Sequence, residues 1–290
     1  MNVLQSSLLV ATSADCRTLM LRVAGLFVLL ACASCAPRLM KLPSGNGIPV
    51  PDLSVLAEAT AACRAVSTIT AEVGVTGSVG GRALRGRLLA GLAAPASARL
   101  EAVAPFGQPL FILAASGDNA TLFLPRDGRV LERGRPEAVL EAIAGVPLDA
   151  AALRNALTGC SSGVDAGVAR AFGDDWQVVG SRVADLYVHR ESRATMWRLV
   201  AVVHRQPGRP SWRAEFSDFQ NGPSRSLPRS VRLTTTDSNG FDLRLTMSQV
   251  EINAPLDANV FQVRVPPGTK PITLEELRQS GPLGPRPDGQ

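Results

Sequence analysis

Residues 69–90, ITAEVGVTGSVGGRALRGRLLA, decide the fold class. From Ile69 onward, apolar residues alternate with small or polar ones, which is the period of a strand with one buried face. The pair Gly80-Gly81 interrupts the alternation, and Leu84 and Leu88 continue it on the far side. Two strands joined by a two-residue glycine turn form an antiparallel hairpin. The stretch therefore predicts the first two strands of an antiparallel sheet.

The same alternation recurs on both sides of a helical interruption. Helical spacing predicts one helix over residues 52–67 and two more that begin at Pro136 and Asp149. Half-buried strands need a covering layer, and only about three amphipathic helices are available for it. We therefore predict an α+β, mainly β, fold: a strongly curved antiparallel sheet, or open half-barrel, with about three helices in the concavity as a lid. The further strands are predicted at 97–104, 109–116, 119–125, 175–181, 184–191, 195–205 and 212–219, with a hairpin of 228–237 and 241–253.

The N-terminal residues have the pattern of an export signal. Arg17 and Arg22 precede an apolar run that ends at Ala31 and is too short to span a bilayer. Cys32 follows directly, and the junction resembles the lipobox of bacterial lipoproteins, with Cys35 as the alternative lipid site. In bacteria that sort lipoproteins by the next residue, an alanine there implies the outer membrane. We expect a protein anchored by lipid at the periplasmic face of that membrane.

This interpretation divides the chain into four segments. We expect a covalent lipid on Cys32, and we expect no other cofactor and no metal. The expected segments are a signal peptide at 1–31 with Met20 as the true start, a lipidated tether at 32–51, a folded domain at 52–267 and a Pro-rich tail at 268–290.

Charge and composition argue against two classes of function. The 30 Lys and Arg exceed the 25 Asp and Glu by only five, and they form no basic run with interleaved aromatics, so no nucleic-acid partner is expected. The two histidines, His189 and His204, have no metal-ligand spacing around them. The Gly-x-Ser-x-Gly match at residues 159–163 follows a predicted helix, whereas a nucleophile elbow joins a strand to a helix. We therefore do not expect an enzyme.

Cys63 and Cys160 are the cysteines of the predicted domain. An oxidising compartment favours a disulfide between them, and the alternative is two buried free thiols. Because they are roughly 100 residues apart, a bridge would stabilise the fold by about 4–5 kcal/mol in the chain-entropy model.

Three segments of the domain together resemble the LolA/LolB superfamily, a periplasmic carrier and an outer-membrane receptor that pass lipoproteins between them. The match covers roughly residues 52–267. The segments are Ala104-Pro105-Phe106-Gly107-Gln108 between two strands, Gly145-Val146-Pro147-Leu148 with the helix that follows, and the closing strand Gln249-Val250-Glu251-Ile252-Asn253-Ala254-Pro255-Leu256. Ala156 departs from the receptor pattern, which has tryptophan there, and this implies a smaller lid.

The resemblance implies a membrane-contact loop and an acyl-binding cavity. Pro105 and Gly107 force a turn that exposes Phe106 for interfacial insertion, and the alternative is that Phe106 folds back into the core. Strand and helix alternation supplies the residues expected to line the acyl-binding cavity. These are Val75, Leu88, Leu100, Leu110, Leu122, Leu140, Leu153 and Trp197.

The sequence thus predicts a monomeric, lipid-anchored protein that binds the acyl chains of lipoproteins and aids their delivery to the outer membrane. Its expected partners are outer-membrane lipid, lipoprotein acyl chains and a periplasmic LolA-like carrier. The alternative is a structural or accessory lipoprotein that uses the same fold as a docking module without cargo transfer.

Overall fold

A computed structural model describes residues 38–103, 109–161, 167–206, 209–219, 227–235 and 240–280. The chain divides into two compact units, Met1–Lys41 and Leu42–Gln290, and only residues 38–41 of the first are described. Cys32, the loop residues 105–107 and residues 281–290 lie outside the described residues, so the lipid site and the membrane-contact loop stay predictions.

The described residues of the second unit form fifteen strands, four α-helices and one short 3-10 helix. Their bounds are β1 Ile48–Val50, α1 Ser54–Arg64, β2 Thr68–Val79, β3 Arg82–Ala93, β4 Ser97–Ala102, β5 Ile112–Ser116, β6 Asn119–Leu124, β7 Arg129–Gly134, α2 Pro136–Ala144, α3 Ala150–Thr158, β8 Val168–Phe172, β9 Trp176–Gly180, β10 Ala184–His189, β11 Arg198–Gln206, β12 Arg209–Ser217, β13 Ser230–Thr235, β14 Phe241–Ile252, the 3-10 helix Ala258–Phe261, β15 Lys270–Pro271 and α4 Leu274–Ser280.

All these strands belong to one sheet in the order β1-β8-β9-β10-β11-β12-β13-β14-β2-β3-β4-β5-β6-β7-β15. Neighbours are antiparallel except β15, which pairs with β7 in parallel. The pairing of β14 with β2 joins the later half of the chain to the earlier half. The sheet is strongly curved and does not close on itself, since β1 and β15 are its two edges. The predicted mainly β half-barrel is confirmed.

The hairpin that decided the fold class has the predicted turn. Val79 pairs with Arg82 across Gly80-Gly81, and Val75 lies opposite Gly86. Directly opposite residues share a face of an antiparallel pair. On β2 the buried positions Ile69, Ala71, Val73 and Val75 alternate with more exposed ones, so this strand turns its apolar side toward the concave core.

Helices α2 and α3 begin and end where their terminal residues predict, whereas α1 is shorter than the predicted 52–67 and has no side-chain cap at its N-terminus. The Asp149 carboxylate accepts the Ala152 backbone N–H at 2.7 Å and caps α3. Gly145 and Gly159 end α2 and α3 in the left-handed conformation, with φ of 66° and 64°. α3 lies over β3 and β4, α1 over β10 and β11, and α2 over β6. Within the described ranges, no helix is long and apolar enough to cross a bilayer.

Two segments expected outside the domain belong to it. β1, placed in the tether, pairs with β8, which was not predicted. The segment after residue 267 adds β15 and α4, whose Leu277 is fully buried where α4 packs against α2. The packed domain therefore extends at least from Ile48 to Ser280, beyond the expected limits of 52 and 267. The Pro-rich composition of the C-terminal segment predicted an extended tail. The segment nevertheless packs on the domain through two buried apolar side chains, Ile272 and Leu277.

Gly77 allows the two halves of the sheet to approach each other. It has φ of 143°, and a Cβ there would lie 1.9 Å from the carbonyl oxygen of Asp242 on β14. Gly77→Ala should lower the free energy of unfolding by about 3 kcal/mol, because the backbone of β14 must move and alanine rarely adopts this φ. Guanidinium denaturation measures the change.

Gly74→Ala is the control in the same strand. A Cβ at Gly74 would make only an ordinary contact, 3.7 Å from the Thr246 carbonyl oxygen. We expect this variant to keep wild-type stability within about 0.5–1 kcal/mol. Equal losses in the two alanine variants would mean that the close approach of β2 and β14 is not the constraint we describe.

Candidate ligand cavity

An almost wholly apolar cavity lies between the curved sheet and two of the helices. Its wall consists of inward-facing side chains from β2, β3, β4, β13 and β14. Its roof consists of Leu140 and Ala144 of α2, Leu153 and Leu157 of α3, and the turn between the helices. The wall residues include Val73, Val75, Leu88, Ala90, Leu100, Ala102, Leu233, Leu243 and Leu245, and the turn contributes Val146 and Leu148.

The cavity volume is about 130 Å³. An engineered apolar cavity of about 150 Å³ binds benzene. The cavity therefore has room for about six carbon atoms of an unbranched chain. Arg85 and Arg87 are the charged residues among its described lining, and both are exposed at its mouth. The described interior of the cavity can contact the hydrocarbon part of a ligand, and it presents no charged group to that ligand.

The mouth lies where β3 extends beyond its neighbour. β4 pairs with β3 only from Leu88 to Ala93, and the described strands leave residues 82–86 of β3 unpaired on that side. Gly86 is exposed there, and a Cβ on it would meet open space. Arg87 is held on the convex side by an ion pair with Glu72, with 3.2 Å between Nη1 and Oε1. Among the described residues, this edge of β3 borders the cavity without a paired neighbouring strand.

The structure brings six of the eight predicted lining residues together. Val75, Leu88, Leu100, Leu110, Leu140 and Leu153 all line the cavity. Leu122 does not, because it is completely buried in the packed core. Trp197 is also elsewhere: its backbone N–H donates to Glu58 of α1 at 3.2 Å, and the Arg190 guanidinium lies 4.5 Å from its ring centroid. The alternation of apolar residues identified which side chains face inward. It did not show which of these side chains line the cavity.

Sequence reasoning missed several lining residues that carried the same signal. Leu243 and Leu245 alternate on β14, and both line the cavity. Leu157 lies one helical turn after Leu153 and shares its face of α3. Phe111 also contributes, although it precedes β5 in the chain.

A disulfide joins two of the covering helices. Cys63 of α1 and Cys160, just after α3, have their sulfurs 2.07 Å apart and their Cα atoms 5.5 Å apart. The predicted pairing is therefore present in the structure. It ties the end of α1 to the end of α3, so these two helices cannot separate there.

The other face of α3 covers a second space, here called the polar compartment. Asp149, Asn155, Ser161, His204 and Trp212 line it. Its volume is about 200 Å³, and Ala151, Ala152, Ala156, Cys160, Val202, Ala214 and Phe216 complete its lining.

His204 and Trp212 form a stacked pair in this compartment. They are directly opposite on β11 and β12, with ring centroids 3.9 Å apart and planes inclined by 12°. Burial lowers the pKa of His204 to about 4, so the imidazole is neutral near pH 7. Trp212 is only 6% exposed, and its buried Nε1–H has no hydrogen-bond partner among the described residues.

The described residues contain no group of three or more His, Cys, Asp and Glu side chains placed to hold a metal ion. The apolar cavity likewise has no described side chain that could act as a nucleophile or general base on a buried chain. The described lining of the apolar cavity offers contacts for hydrocarbon.

Neither a family model nor a curated protein sequence matches the chain. Among solved structures, it is similar to a LolA superfamily protein from Nitrosomonas europaea, with a TM-score of 0.54 and 12% identity over 74% of this chain and 98% of that one. A domain from Vibrio parahaemolyticus, described as an outer membrane lipoprotein-sorting protein, has a TM-score of 0.48 and 13% identity over 72% and 95%. The first likeness confirms a LolA-like fold, and identities this low concern the fold alone.

Replacing His204 by Gln should remove part of the acid sensitivity of folding. The unfolded chain takes up a proton on this imidazole below about pH 6.5. The folded protein does so only near the lowered pKa of about 4, so stability is lost as the pH falls through this window. Between about pH 7.5 and pH 5 the wild type should lose about 2 kcal/mol more free energy of unfolding than His204→Gln. Urea titrations at the two pH values measure the difference.

His189→Gln is the matched control, because His189 also packs against a tryptophan. Its ring centroid lies 4.3 Å from that of Trp176. This variant should retain the pH-dependent loss that His204 causes. An unchanged pH dependence in His204→Gln would contradict the burial of a neutral imidazole in the polar compartment.

Proposed function

We propose that this LolA-like protein is a lipid-anchored envelope protein that holds the acyl chains of lipoproteins and aids their delivery to the outer membrane. The observation that carries the proposal is the apolar cavity between the curved sheet and helices α2 and α3. The fold likeness to a LolA superfamily protein supports it. The export signal and the lipobox at Cys32 support a location at the membrane that receives the cargo.

The energetics suit reversible holding. Burial contributes roughly 0.8 kcal/mol per methylene, so a segment of about six methylenes gains about 5 kcal/mol on leaving water. A bilayer offers each methylene a similar gain. Because no bond is made or broken, cargo moves in the direction set by the affinities of carrier, receptor and membrane. An enzyme activity is not part of this proposal.

Longer chains need a wider cavity, and α2 is the element best placed to move. The disulfide holds α1 and α3 together, whereas α2 contributes Leu140 and Ala144 to the roof without such a bond. α4 packs against α2 through a segment that pairs with the sheet at β7. Outward movement of α2 would enlarge the cavity, and α4 would limit how far α2 moves.

Partners and anchoring complete the proposal. The lipid on Cys32 would keep the domain at the periplasmic face of the outer membrane. A LolA-like carrier would present the cargo, and Phe106 in the turn between Pro105 and Gly107 would contact the bilayer during release. We propose that the protein acts as a monomer.

Gly86→Leu should block acyl binding without disturbing the fold. Gly86 shares a face with the cavity-lining Val75, and a Cβ there meets open space, so the new side chain fills the mouth. It would displace about four methylene-sized groups, and at roughly 0.8 kcal/mol each the affinity should fall at least tenfold. Titration with 11-(dansylamino)undecanoic acid, followed by dansyl fluorescence, measures the dissociation constant.

Gly91→Leu is the matched control in the same strand. A Cβ at Gly91 also meets open space, but this position alternates with the inward-facing Ala90 and Leu92 and faces the convex side. Its affinity for the probe should stay within twofold of wild type. A docking module without cargo would leave the wild type unable to bind the probe, and equal binding by Gly86→Leu would place the chain outside the cavity.

A further inference from the structure

We propose that the polar compartment binds the uncharged, ester-linked glycerol region of a lipid, with His204 and Trp212 as its hydrogen-bonding residues. This inference rests on the proposed lipid-binding function and identifies the class of lipid. It assigns a role to the face of α3 that the acyl cavity leaves unused.

Helix α3 has two faces that border different spaces. Leu153 and Leu157, one turn apart, line the apolar cavity. Ala152, Asn155 and Ala156 lie on a different face and line the polar compartment. The two alanines are too short to reach the sheet, so space is left over the His204–Trp212 pair. One nine-residue helix therefore borders a hydrocarbon space and a hydrogen-bonding space.

Two hydrogen-bond donors face this space. The Nε1–H of Trp212 is buried without a partner among the described residues, which is unfavourable until an acceptor reaches it. Among the described residues, no hydrogen bond engages the imidazole nitrogens of His204 either. A neutral imidazole supplies one donor and one acceptor. Two neutral donors side by side suit carbonyl oxygens of a ligand.

The polar compartment is unsuited to a charged group. The described lining of the polar compartment contains no lysine or arginine, so a phosphate or carboxylate would be buried without a counter-ion. Asp149 is exposed at the entrance, where its carboxylate accepts the Ala152 N–H of α3. The remaining lining, including Val202, Ala214 and Phe216, accepts methylenes. Ester-linked glycerol combines these requirements: it is uncharged, carries two carbonyl acceptors and leads directly into acyl chains.

The test compares 1,2-dioctanoylglycerol with its ether analogue 1,2-dioctylglycerol, which lacks both carbonyl oxygens. Isothermal titration calorimetry with the full processed protein should show that the wild type prefers the ester about five- to tenfold, the value of roughly one neutral hydrogen bond. His204→Phe and Trp212→Phe keep an aromatic ring but remove the polar atoms. Each should lose most of this preference.

Matched variants and a second probe separate the possible outcomes. His189→Phe and Trp176→Phe alter the other histidine–tryptophan pair and should keep the wild-type preference. All four variants should bind 11-(dansylamino)undecanoic acid within twofold of wild type, which shows that the acyl cavity is intact.

Probe binding without ester preference in the wild type overturns this inference and leaves the proposed function standing. An equal loss of ester preference in His189→Phe and His204→Phe also overturns this inference. Failure of the wild type to bind the probe or either lipid overturns the proposed function together with this inference.

Discussion

The apolar concave face of a strongly curved sheet has to be covered, and the chain covers it with short helices. The sheet has fifteen strands, whereas α2 and α3 have nine residues each. A nine-residue helix is only about 14 Å long, so two of them cannot fill a half-barrel. Space therefore remains between helix and sheet. The apolar cavity is the consequence of this mismatch, and the function we propose depends on it.

The covering helices are held in place by different means, and this determines which part of the protein can adapt to a ligand. α1 and α3 are joined covalently through Cys63 and Cys160. α2 is held by packing against β6 and α4. The fixed pair maintains the boundary between the apolar cavity and the polar compartment. Helix α2 can move without breaking a covalent bond. Separate elements would therefore accommodate the length of the acyl chain and recognise its linkage to glycerol.

The sequence was informative wherever local periodicity sets the structure. Alternation around Gly80-Gly81 predicted the hairpin and, with it, the inward positions Val75 and Leu88. Capping residues such as Asp149 fixed the helix ends. The disulfide was favoured because Cys63 and Cys160 are the cysteines of a domain that the sequence predicts to be exported. These features depend on near neighbours in the chain or on composition, and they need no knowledge of how distant segments pack.

The features that were missed depend on contacts between distant segments. Leu122 and Trp197 have the periodicity of lining residues, but one is sealed in the core and the other contacts α1. α4 was expected to be a short helix in an extended tail, and only its packing against α2 reveals it as part of the domain. The polar compartment had no sequence signal, because His204 and Trp212 meet across two strands and lie under a helix almost fifty residues earlier in the chain. The spacing of residues in the sequence does not predict such contacts between distant segments.

Photo-crosslinking of an acyl chain tests the central claim most directly. The full processed protein would be incubated with a synthetic diacylglyceryl-cysteine lipopeptide that carries a diazirine in one acyl chain, then irradiated, digested and analysed by mass spectrometry. The account predicts adducts on side chains that line the apolar cavity, including Leu88, Leu140 and Leu245. Adducts confined to the convex face of the sheet, or none above the level of a non-acylated peptide, would contradict it.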